Sequence, residues 1–198
     1  AAAVPALIAS ATFLWSAGEL RSLADIVEIQ SRTGALYGTA LFSDDYPYKL
    51  AVARGRRSEV VALGSSRALP AVEAMFQRSF MNLGRMANST QHLKQSVDDL
   101  LRVRTPSLVI LTIDFWWANA DTAEAPPPLT DLKEPVRLTP ETLLAPGRWI
   151  LEGKLRVLDF QRVTSGSGPP MFGSVPVVGI RAVTLGTGFA GDGSRSDQ

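Results

Sequence analysis

Glu59-Val60-Val61-Ala62-Leu63-Gly64-Ser65-Ser66-Arg67 is the stretch on which the fold of this chain turns. The run from Val60 to Leu63 is too short for a helix and apolar at every position, as a strand buried on both faces requires. Gly64 lets the chain turn tightly, and two serines follow. Leu69 to Arg78 reads as helical, with Pro70 in the first turn, where a missing N–H costs little. Phe80 to Leu83 is a second strand. Ser89 caps a helix over Thr90 to Arg104, with Leu93, Val97, Leu100 and Leu101 as its apolar stripe. Pro106 closes the connection, and Leu108 to Ile113 is a third strand. This alternation predicts an α/β fold, a three-layer flavodoxin-like sandwich with a parallel sheet and right-handed crossovers, over residues 58–120. Ligands of such sheets lie beyond the carboxyl ends of the strands. Ser65 and Ser66, residues 84–88 and residues 114–119 are therefore the positions to examine.

Upstream, residues 1–18 carry no charge, and Val4, Leu7, Ile8, Phe13, Leu14 and Trp15 make them apolar. That length is near the lower limit of about 17 residues for a membrane helix, and Trp15 suits the membrane interface. A membrane anchor is expected there, a buried N-terminal helix being the other reading. The start Ala1-Ala2-Ala3, without methionine, is expected of a fragment or a processed form. Residues 19–57 read as an amphipathic stalk, Glu19 to Arg32, followed by a short connecting helix over Tyr48 to Arg57.

Downstream of Asn119 the regularity fails. Ala123 to Pro140 holds Pro126-Pro127-Pro128, Pro135 and Pro140 and reads as a loop or insertion. Pro146 to Val163 reads as one helix, Ser165 to Pro170 as a flexible linker, and Val175 to Leu185 as strand-like. Residues 121–198 are thus expected to be an irregular C-terminal part.

Composition excludes several chemistries. The 198 residues carry a net charge of +1 with scattered Lys and Arg, so nucleic acid is not an expected partner. No cysteine is present, which removes disulfides, thiolate metal sites and thiol nucleophiles. The single histidine, His92, excludes a zinc site built on several histidines, and neither metal nor cofactor is expected. No Gly-Lys-Ser/Thr follows Gly64, so the turn is not a P-loop.

The turn at residues 64–67 is the most informative feature. A serine between a strand and a helix sits over free backbone N–H groups able to hold an anion or a developing oxyanion. The plainer reading is an ordinary cap. Gly84, after the second strand, could present its N–H to the same place. Asp114, ending the third strand, could orient a substrate or a water, or act as a loop carboxylate. Asn88 and Asn119 are weaker candidates of the same kind. Phe115-Trp116-Trp117 could line a ligand cleft, anchor at a membrane or partner surface, or pack in the core. His92 lies off its helix's apolar stripe and is expected at solvent.

Together these positions resemble the SGNH (GDSL-like) hydrolase superfamily over residues 59–114. Gly64-Ser65-Ser66-Arg67 is similar to its first block, which implies Ser66 as nucleophile. Asn82-Leu83-Gly84 is similar to the second, which implies Gly84 as an oxyanion-hole N–H. Leu111-Thr112-Ile113-Asp114 falls at the third, with Asp114 in place of Asn and Thr112 in place of Gly. Ser65 stands where the family often has Asp. The stretch is most similar to membrane-anchored, extracytoplasmic branches linked to O-acetylation of alginate and D-alanylation of teichoic acid. The resemblance therefore implies a periplasmic domain held to the cytoplasmic membrane, acting on acyl esters of an envelope polymer or glycan. The family's closing Asp-x-x-His is absent, since Asp192 and Asp197 precede no histidine. Two expectations follow: an SGNH-like domain inactive as it stands, whose base would lie outside these residues, or a non-catalytic accessory subunit of a membrane complex.

Overall fold

The computed structural model describes residues 3–41, 45–118, 138–165 and 170–197. In chain order the helices and strands are α1 (Ala3–Ala17), α2 (Leu23–Thr33), β1 (Leu36–Tyr37), α3 (Asp45–Gly55), β2 (Val60–Gly64), β3 (Phe80–Gly84), α4 (Thr90–Val103) and β4 (Leu108–Thr112). There follow α5 (Pro140–Leu151), α6 (Val157–Thr164), β5 (Met171–Phe172), β6 (Val175–Val178), α7 (Ile180–Leu185), β7 (Thr187–Phe189) and β8 (Arg195–Asp197). They divide into two compact units, residues 44–132 with 190–195, and residues 1–43 with 133–189 and 196–198.

The three apolar runs of the first unit form one sheet in the order β3-β2-β4, parallel throughout. The expected α/β class is borne out as a parallel three-strand sheet flanked by helices, α3 packing on β3 and α4 on β2. Every residue of β2 and β3 is buried, as the unbroken apolar run of β2 requires, and the burial in β3 includes Asn82. Alternation puts Val60, Ala62 and Phe80 on one face, where they pack with Ala68, Ala71 and Phe76. Phe76 and Phe80 stack with ring centroids 4.1 Å apart.

The crossover from β2 to β3 departs from expectation. Leu69 to Arg78 is not an α-helix: its one helical turn is the 3-10 turn Glu73–Met75, and a second, Ser66–Ala68, precedes it. Asn82 holds this segment: its side chain donates to Ala68 O at 2.6 Å and Ala71 O at 2.7 Å, bonds that an α-helix would have kept for itself. The cap of α4 is as expected, with Ser89 accepting from the His92 N–H at 3.2 Å. Its buried face is not. Leu93 and Leu100 are buried, but Leu101 is 49 % exposed, and His92, Ser96 and Asp99 turn inward instead. Ser96 donates to Met86 O, and Asp99 accepts from the Tyr46 hydroxyl of α3 at 2.7 Å. Those polar anchors rotate the helix away from the leucine stripe.

The second unit has a sheet in the order β5-β6-β1-β7-β8, in which β1 runs parallel to β6 and antiparallel to β7. Phe13, Leu14, Leu36, Trp149, Leu155 and Ile180 lie in its core. The helix expected over Pro146 to Val163 is two, α5 and α6, parted at Gly153, which adopts φ 70°. The strand expected over Val175 to Leu185 stops at Val178, and α7 follows. The helix expected from Glu19 starts at Leu23 behind a Ser22 cap. Glu19 lies in the turn before it and is buried, accepting from the N–H groups of Ala40, Leu41 and Ile180. Burial raises its pKa above the ordinary carboxylate value, against the pull of those three N–H groups.

The membrane helix expected over residues 1–18 corresponds to α1. No helix among the described residues is long and apolar enough to cross a membrane. The 15 residues of α1 span about 22 Å against about 30 Å of hydrocarbon. Phe13 and Leu14 are fully buried, and the Phe13 ring stacks on Phe160 at 4.7 Å. Asn119, the proline-rich residues 123–137 and residues 166–169 lie outside the described residues.

Candidate functional site

The sheet register sets Gly64 beside Gly84 on one side and Thr112 on the other. The three segments singled out from the sequence thus leave the sheet side by side. Gly64 is required by that closeness. Its φ is 134°, and a Cβ there would lie 2.1 Å from Thr112 O. Gly84 is confined too, with Asn82 Oδ1, Ala68 Cβ and Leu69 N all about its α-carbon. Arg85, next in the chain, holds a left-handed φ of 70°. Such a backbone state persists only where surrounding bonds fix it. Here the Arg85 N–H donates to Ser65 O at 3.3 Å, and its guanidinium pairs with Asp45 at 2.9 Å.

The two serines differ. Ser65 is buried, and its hydroxyl accepts from the Arg67 N–H at 3.3 Å, closing the 3-10 turn. Ser66 is exposed, and among the described residues its hydroxyl has no hydrogen-bond partner. The Gly84 N–H donates to Asn82 Oδ1 at 2.8 Å. Asp114 is 4 % exposed, and its Oδ1 lies 2.5 Å from Arg67 Nε, an ion pair by distance without the alignment of a hydrogen bond. Asn88 is exposed.

His92, expected at solvent, is instead buried at 5 % exposure, and its Nε2 has no hydrogen-bond partner. It occupies the first turn of α4 on the inward face set by Ser96 and Asp99. No hydrogen bond joins it to Ser66 among the described residues.

The aromatic run divides. Trp117 is buried, while Phe115 is 82 % and Trp116 43 % exposed. Phe115 and Trp116 meet edge to face at 5.0 Å, and the Arg67 guanidinium lies over the Trp116 ring at 5.6 Å. Ahead of them, β4 is the sheet's edge strand, with Leu108, Ile110 and Leu111 exposed, as is Ile113 just beyond it.

The opposite edge holds groups that the sequence reading missed. Lys49, on α3, is fully buried, and its ammonium donates to Asn82 O at 2.9 Å and to Gly193 O. Burial lowers its pKa to about 7, Asp45 and Asp192 pulling it up and Arg85 pushing it further down. Asp192 O accepts from the Asn82 N–H at 2.7 Å, and its carboxylate accepts from Glu73 N and from the N–H and hydroxyl of Ser194. An asparagine inside an otherwise apolar strand was the available signal for this hub. Lys49, in a short helix, gave none.

Among the described residues no cluster of three or more His, Asp or Glu side chains is placed to hold a metal ion. No family model, curated protein or solved structure matches the chain.

Proposed function

We propose that the chain acts as a non-catalytic interaction module on an SGNH-like strand-and-turn framework, an accessory subunit that docks an extended, apolar segment of a partner protein along β4. The observation that carries this reading is Ser66, whose exposed hydroxyl has no general base bonded to it among the described residues. A serine without a base is a weak nucleophile at neutral pH. Two further observations support it. The Gly84 N–H is already bonded to Asn82, and Asp114 is charge-paired with Arg67.

The partner's form follows from β4. Among the described residues the strand offers apolar side chains to both faces and a backbone edge that no other strand pairs, and an added strand would satisfy that edge while covering both. In a larger extracytoplasmic complex at the membrane, Val4, Leu7 and Ile8 on the outward side of α1 are the apolar side chains that support attachment. The test is site-specific photocrosslinking from position 115 in the native host, with the crosslinked peptide mapped. An apolar segment of another protein, lost with Leu111→Lys, is expected. Crosslinks unaffected by that change, or to lipid alone, would contradict docking on β4.

A second reading is favoured by the alignment of Gly64, Gly84 and Thr112 around an exposed Ser66. It is an SGNH-like acyl-ester hydrolase or acyltransferase acting on an envelope glycan, with its histidine supplied from outside these residues. Hydrolysis of 4-nitrophenyl acetate that disappears with Ser66→Ala would favour it over the module.

A further inference from the structure

The second unit carries a cleft of about 430 Å³. Its walls include Ala17, Ile29, Val163, Pro176 and Val177. Ala17, Val163 and Val177 are buried side chains of that unit's core, and the lining that reaches solvent is mixed, with Trp15, Ile29 and Pro176 apolar and Ser16, Arg21 and Thr33 polar. Its size falls within the range of small-molecule sites, about 300–1,000 Å³.

Two residues of the lining give it chemical character. Trp15 is 68 % exposed, an indole face that nothing covers among the described residues. Among the described residues Arg21 is the only cation of the cleft, and it forms no ion pair with any of them. Arg32 pairs with Glu28, Arg148 with Glu152 and Arg156 with Asp159, whereas Arg162 and Arg181, like Arg21, pair with no described carboxylate. The side chain of Arg21 runs past Gly18, where a Cβ would lie 3.6 Å from its Cδ and Nε. Gly18 is held there by its own backbone, with φ 82°.

A cleft with an apolar wall and one unpaired guanidinium fits a ligand with an apolar body and one carboxylate. The body would take the place of water along Trp15, Ile29 and Pro176. The carboxylate would accept a charge-assisted, two-pronged hydrogen bond from Arg21. We infer that this cleft binds a monocarboxylate amphiphile, with its carboxylate on Arg21 and its chain or ring along the apolar wall. No covalent step is involved, and the inference does not depend on the docking of a partner at β4.

Isothermal titration of the full chain tests it, with decanoate as the chain probe, 4-phenylbutyrate as the ring probe and decyltrimethylammonium as the cationic control. Saturable binding of at least one carboxylate is expected, with none of the cation. The stronger of the two carboxylates assigns the body as chain or ring. Arg21→Gln is expected to weaken that binding about tenfold or more, and Arg21→Lys to restore part of it. Ile29→Trp, which fills the cleft without changing charge, is expected to abolish it. Circular dichroism on each variant confirms that it is folded, and the exposed Arg21 makes its variants safe in this respect. No saturation by either carboxylate up to about 1 mM would overturn the inference. So would equal affinity in Arg21→Gln, or binding of the cation as tight as that of the acids.

Discussion

The two edges of the three-stranded sheet are built differently. The β3 edge is closed: residues 190–195 return to it, Asn82 N–H donates to Asp192 O, and Lys49 ties Asn82 O to Gly193 O. The β4 edge carries Leu108, Ile110 and Leu111 toward solvent and ends in the exposed pair Phe115 and Trp116. Apolar content alone does not separate them, since both strands are largely apolar, β3 with Asn82 in its interior. What separates them is whether backbone and charged groups from elsewhere in the unit have been spent on the edge. A closed edge is stability; an open one with apolar faces is available for binding.

The largest effect is expected at the hub of the closed edge. Asn82→Ala removes the donors to Ala68 O and Ala71 O and the acceptor for the Gly84 N–H, the first and last of these bonds buried and the second half-buried. A loss of about 3–4 kcal/mol in urea unfolding is expected, because the Gly84 N–H and Ala71 O lose their partners while Ala68 O keeps the Ala71 N–H. A loss below about 1 kcal/mol would mean that the hub is not what holds the crossover. Next comes the seam between the edges. Gly64→Ala sets a methyl against Thr112 O and strains a φ of 134°, and should cost about 2–4 kcal/mol.

Lys49 gives a pH signature. Its folded pKa, about 7, is below the unfolded 10.5, so between those values the unfolded chain binds more protons. Its contribution to stability is fully present above about pH 10.5 and is lost as pH falls to about 7. Stability should therefore rise with pH across that window by as much as a few kcal/mol, and Lys49→Met should flatten the slope. An unchanged slope in Lys49→Met would assign it to other groups.

These effects also mark what the sequence could convey. The strands were readable because β2 and β4 are unbroken apolar runs, and the α4 cap because Ser89 stands one residue before a helical pattern. The crossover was misread because Pro70 and the leucine and alanine around it suit a helix, while the bonds that forbid one come from Asn82. His92 was misplaced because a leucine stripe was weighed without Ser96 and Asp99, whose partners lie on other elements. Lys49 was invisible because its burial depends on Gly193, 144 residues away. Of the site, the juxtaposition of Ser66, Gly84 and Asp114 at one end of the sheet was legible. The prior commitments of the Gly84 N–H and the Asp114 carboxylate were not, being matters of geometry.

The smallest effect is expected on the open edge. Leu111→Lys should change the stability of the isolated chain by no more than about 0.5 kcal/mol, as for other exposed positions. A larger loss would indicate that β4 is already covered.

The contrast is tested most directly by amide hydrogen exchange on the isolated chain, comparing residues 80–84 with residues 108–112. Protection throughout β3, approaching that of global unfolding, and fast exchange at the outward-facing amides of β4 are the expected result. Equal protection of the two strands would contradict an open docking edge.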